Sequence, residues 1–165
     1  MTTLTLVEER LRNFLIDRAR TAHAGNPETA TMTYQDLAGA LDPDGDFGLK
    51  QGAPRFTRLI RALFHMNSYE VEKGRPMVGA LAVSKTTGDS GSGFAGLGRE
   101  LGFPVPKDEE GEKKFWQAQL DQAIEHWSGN HEDNGRPDDQ FAAILTELRT
   151  IRKTLQELVH DQAAS

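Results

Sequence analysis

Residues 54–94 read PRFTRLIRALFHMNSYEVEKGRPMVGALAVSKTTGDSGSGF, and the fold depends on how this stretch is parsed. Phe56, Leu59, Ile60, Leu63 and Phe64 recur at helical spacing. That spacing predicts a helix over 54–73, opened by Pro54 and stopped by Gly74. Residues 76–85 then form a short continuous apolar run, the pattern of a buried strand. A Gly/Ser-rich turn follows at 86–93, and a short helix at 94–101 ends on Gly102.

Nearer the N-terminus, Leu4, Val7, Leu11, Phe14 and Leu15 give residues 4–22 the stripe of an amphipathic helix, stopped by Gly25-Asn26-Pro27. Residues 29–33 are β-favouring. Thr33 is placed to cap a short helix over 34–41, with Asp36 three residues on as in a capping box. Asp42-Pro43-Asp44-Gly45-Asp46 is a turn-rich loop. Downstream, Phe115, Trp116, Leu120, Ile124 and Trp127 mark another amphipathic helix over 109–127. The core is expected to include Leu11, Phe14, Leu15, Leu37, Leu59, Ile60, Leu63, Leu81, Val83, Phe94, Leu97, Phe115, Leu120 and Ile124.

These elements predict an α+β, mostly helical protein. Their order is helix, short β segment, short helix, second helix, strand and glycine-rich turn. That is the order of a winged helix, with 76–94 as the wing. A globular domain is expected over 1–127, a polar hinge over 128–138 and a final helix over 139–165. Thr33, Tyr34, Leu37 and Ala38, within TMTYQDLA at 31–38, match a T-T-Y-G-x-[IL]-A segment. Pro76 heads an apolar strand as in a P-[CW]-H-R-V-[VI] segment. Over residues 31–85 the chain thus resembles the winged-helix DNA-binding domain of alkylguanine-DNA alkyltransferases and alkyltransferase-like proteins. Met77 stands where that family carries its alkyl-accepting cysteine, and no His-Arg pair follows. The resemblance implies a fold and a DNA-facing surface, without alkyl transfer.

Two patterns name the candidate site residues. Arg55, Arg58 and Arg61 recur every three residues on the 54–73 helix, with Lys73 and Arg75 at its far end and Lys85 at the base of the turn. Arginines on one helix face pair with phosphates or guanines, so duplex DNA is the expected partner. In the last helix Phe141, Ile144, Leu148, Ile151, Leu155 and Leu158 alternate by three and four. That is an a/d seam of nearly three heptads, widened by Leu145 and Val159 at e, and it predicts homo-oligomerisation.

Composition limits the chemistry. The chain has no cysteine, which excludes disulfides, thiolate metal sites and thiol nucleophiles. No stretch approaches the roughly 20 apolar residues of a membrane span, and a cytoplasmic, non-membrane protein is expected. The net charge is −6, yet residues 1–100 hold 12 acidic and 12 basic side chains, so the acidity lies in the C-terminal part. Bulk acidity disfavours non-specific coating of nucleic acid but leaves room for one basic face.

The expected function is a non-enzymatic DNA-binding or regulatory module that self-associates, with no cofactor and no metal. Two alternatives stay open. One is a protein–protein adaptor without DNA binding. The other is a nucleotide binder or metal-dependent nuclease using Gly91-Ser92-Gly93-Phe94-Ala95-Gly96 with Glu70, Glu72, Asp89 and Lys85. His126, His131, Glu132 and Asp133 are the remaining metal-type cluster, set in or beside the polar hinge.

Overall fold

The computed structural model describes residues 1–22, 26–50, 56–128 and 137–163, with the side chains of 137–146 and 162–163 left out of the description. The chain divides into two units, residues 1–131 and 132–165. The described residues are mostly helical, with one two-stranded sheet.

In the first unit, α1 (Leu6–Thr21) opens on a reciprocal cap. The Thr5 hydroxyl accepts from the Glu8 N–H, and the Glu8 carboxylate accepts from the Thr5 N–H at 2.8 Å. A 3-10 turn (Pro27–Ala30) leads into β1 (Met32–Thr33), and Thr33 caps α2 (Tyr34–Leu41) by accepting from the Asp36 N–H. The 42–50 loop is held by one carboxylate: Asp42 accepts from the N–H groups of Phe47 (3.1 Å) and Leu49 (3.0 Å). Next come α3 (Thr57–Glu72), a 3-10 turn (Val78–Leu81), β2 (Ala82–Val83), α4 (Gly91–Glu100) and α5 (Glu109–Ser128). The second unit is α6 (Pro137–Ala163).

One core joins the elements of the first unit. Leu11, Leu15, Leu37, Leu59, Met66, Met77, Leu81 and Leu120 are fully buried in it. Phe14, Ile60, Phe115 and Ile124, expected inside, are only half-buried. Met66, Met77 and Val78 take the deeper places.

The 76–85 segment departs from the strand its apolar run predicts. Only Ala82–Val83 is strand, and it pairs in parallel with β1, Met32 opposite Ala82 and Thr33 opposite Val83. The preceding residues form the 3-10 turn, buried on all sides. A buried backbone needs hydrogen-bond partners, and here side chains supply them. The Met77 N–H donates to Gln119 Oε1 (3.1 Å), and the Gly79 N–H donates to Asn67 Oδ1 (2.9 Å). The Ala80 carbonyl accepts from the Trp116 indole N–H (2.9 Å), and the Ala82 carbonyl accepts from the Ser90 hydroxyl (2.7 Å). The segment is therefore hung between α3 and α5, where a ladder of strand bonds was expected.

Gly79 is fixed by the same arrangement. A Cβ there would lie 2.6 Å from Oδ1 and 2.9 Å from Cγ of Asn67, which is itself buried. Gly79→Ala is expected to cost about 1–3 kcal/mol by overpacking, read as a lowered urea midpoint. An unchanged midpoint would show that Asn67 can move aside.

The Glu8 cap also carries a pH dependence. Burial works to raise the Glu8 carboxyl, but the Thr5 N–H and His65 (Nδ1–Oε1 2.9 Å) outweigh it, and the net shift is downward from 4.5. A depressed carboxyl stabilises fully above its unfolded value and loses that contribution as pH falls through the folded one. Between about pH 5 and pH 3 the native chain should lose stability faster than Glu8→Gln, measured by urea unfolding at each pH. Parallel losses would assign the acid limb to other groups.

Candidate nucleic-acid interface

Helix α3 turns Leu59, Ala62, Leu63, Met66, Asn67 and Glu70 inward. Residues 58, 61, 65 and 72 consequently fall on the outer face, and all four are exposed. Arg58 and Arg61 stand there with no ion pair among the described residues. No acidic side chain occupies the first turn of α3. Cations near a helix N-terminus are opposed by the helix dipole, while an anion there is favoured. Arg55 lies outside the described residues.

The remaining sequence candidates separate. Lys85 is exposed at the start of a tight 84–89 turn. That turn is closed by the Ser84 N–H to the Asp89 carbonyl (2.7 Å) and the Gly88 N–H to the Ser84 carbonyl (2.8 Å). Beyond the turn, α4 approaches α3 at Gly93, where a Cβ would come 3.3 Å from Phe64 Cζ, one turn beyond Arg61. Lys73 is exposed and lies over the Tyr69 ring, Nζ 5.7 Å from the centroid.

Arg75 is a correction. It is half-buried and donates from Nε (2.7 Å) and Nη2 (3.1 Å) to the Glu70 carboxylate. The cause is the end of α3: Gly74, at φ 71°, donates to the Val71 carbonyl, and the Arg75 N–H donates to the Glu70 carbonyl. This double-bonded glycine turn folds residue 75 back over the last helical turn. Burial works to lower the Arg75 pKa, the Glu70 bonds raise it, and the net direction is up. Its charge is committed internally.

Glu70 itself is wholly buried and also takes the Arg12 Nε–H. Sequence reading offered it as a catalytic or metal-binding acid; two guanidiniums now occupy it. Glu72 accepts from the Thr2 N–H (2.8 Å). At the glycine-rich segment the Asp89 carboxylate caps the first amide of α4, accepting from the Gly91 N–H (2.8 Å). A carboxylate in that place opposes a phosphate. Asp89 also joins burial in pushing the Tyr34 hydroxyl up to about 12, with burial the larger cause. Among the described residues no three His, Asp or Glu side chains are grouped to hold a metal ion. His131, Glu132 and Asp133 lie outside them.

On α6, Leu148, Ile151, Leu155 and Leu158 are each about half exposed (54–56%), and Val159 is 67% exposed. The side chains of Phe141, Ile144 and Leu145 lie outside the description, as do residues 129–136 of the expected hinge. No described helix is long and apolar enough to cross a membrane. No protein-family model, curated protein or solved structure matches this chain.

Proposed function

We propose that this protein is a non-enzymatic, self-associating DNA-binding module of winged-helix type. Helix α3 is the element that meets the duplex, and the 84–89 turn is the wing; residues 91–93, expected in the turn, are the first residues of α4. The observation that carries this is the pair of exposed arginines, Arg58 in the dipole-disfavoured first turn of α3 and Arg61 in the next, without ion pairs among the described residues. An internal role would have supplied carboxylates, as it does for Arg12 and Arg75. Phosphates of a duplex supply the missing negative charge, with Lys85 adding a further contact from the wing. Self-association is supported by the exposed apolar stripe of α6, since an isolated helix bearing such a stripe is marginal in water.

The test is binding to duplex DNA at two salt concentrations. Arg58→Ala and Arg61→Ala should each weaken binding evenly across sequences and reduce the salt slope by about 1. Absence of any salt-dependent binding would leave the adaptor reading, in which the same surface meets a protein.

A further inference from the structure

We infer that α6 joins a second copy of itself in parallel and in register. This rests on the self-association proposed above and adds its direction. With Leu148 and Leu155 at a, and Ile151 and Leu158 at d, Glu147 falls at g and Arg152 at e of the following heptad. Both side chains are exposed, and neither forms an ion pair among the described residues.

In a parallel pair each g residue of one strand flanks the e residue five positions on in the other. Glu147 then meets Arg152 of the second copy on both sides of the seam. Thr154 and Val159 come together one heptad later, extending the apolar contact. In an antiparallel pair with the seam fully overlapped, g flanks g and e flanks e. Arg152 falls opposite an apolar e position and Glu147 opposite Thr154, so neither charge finds a partner. Charge complementarity therefore selects the parallel direction. It holds whether two, three or four strands assemble, because the g-to-e relation is the same in each.

The absence of cysteine makes a single introduced thiol an unambiguous reporter. In full-length protein, Leu158→Cys should give a disulfide-linked pair under mild oxidation. A parallel seam sets this d position beside its own copy, whereas an antiparallel one sets it at the opposite end. A second measurement avoids altering the seam. Glu147→Lys and Arg152→Glu should each raise the dissociation midpoint roughly tenfold, because two attractions become two repulsions. Mixed in equal amounts, the two variants should form a hetero-pair with a midpoint near that of the native chain. An oligomer by light scattering that gives neither the disulfide nor the hetero-pair would overturn the parallel register and leave self-association standing. A monomer at every concentration would overturn both.

Discussion

Glu70→Gln is expected to destabilise the protein by about 3–5 kcal/mol, the cost of breaking a buried ion pair from one side. The native carboxylate is fully buried and takes donors from Arg12 and Arg75, so both of its oxygens are in use. Glutamine keeps the volume and one acceptor. It turns the other oxygen into an NH2 group facing a guanidinium, donor against donor. Two cations are then left beside each other with nothing to balance them. The surrounding aromatics supply only part of the compensation: Arg12 lies 5.3 Å from the Trp127 ring centroid, and Arg75 lies 5.4 Å from that of Tyr69. The melting temperature should fall by about 10 °C or more for a chain of this size. Replacing Arg12, Glu70 and Arg75 together by apolar residues of similar volume should recover most of the loss, because no charge is then stranded. A Glu70→Gln melt within about 2 °C of the native chain would show that water reaches the cluster and screens it.

That cluster marks where sequence reading stops. The helices were legible because apolar residues at three- and four-residue spacing must share a face. Asn67 and Glu70 obey the same spacing, eight after Leu59 and seven after Leu63, yet their polar side chains keep them out of the expected core, and Glu70 reads as a site acid. Their partners were not legible either. Arg12 lies 58 residues from Glu70, and nothing local in either segment announces the other. The strand expected over 76–85 failed for the same reason. The groups that satisfy its backbone, Asn67, Trp116 and Gln119, sit 12, 36 and 42 residues from the atoms they serve. An apolar run shows that a segment is buried, whereas its conformation depends on where its hydrogen bonds go.

The charged candidates divide along a similar line. Arg58 and Arg61 were readable as surface residues because they lie opposite Leu59, Leu63 and Met66 on a regular helix. Arg75 was not readable, because it follows the helix end. The left-handed Gly74 turns the chain and converts an apparent surface cation into the partner of Glu70. Gly74 itself was visible as a stop. What a glycine stop does to the next side chain depends on which residue lies one turn back, and here that residue is a buried carboxylate.

Removing residues 132–165 is expected to leave a folded monomer that binds duplex DNA roughly 100-fold more weakly than the full chain, the scale of avidity lost when two linked sites become one. The fold should survive because every residue of the described core lies between Leu11 and Trp127. Its caps and buried polar bonds likewise join residues of the first unit. The association should be lost because four seam residues of α6 are half exposed, and a 27-residue helix with such a stripe gains its stability from a partner. Leu at a with Ile at d leans toward three or four strands. Under three heptads is short, however, and symmetric dimers dominate among oligomers, so a dimer is the expected full-length state. Light scattering on both chains tests the association, and a thermal melt of the truncated chain tests the fold. If residues 1–131 melt far below the full chain or aggregate, α6 completes the core and the stripe is a docking face for its own domain. A full-length monomer would reassign the stripe to a different partner. If the truncated chain is a folded monomer with undiminished DNA affinity, α6 brings copies together without coupling their DNA faces.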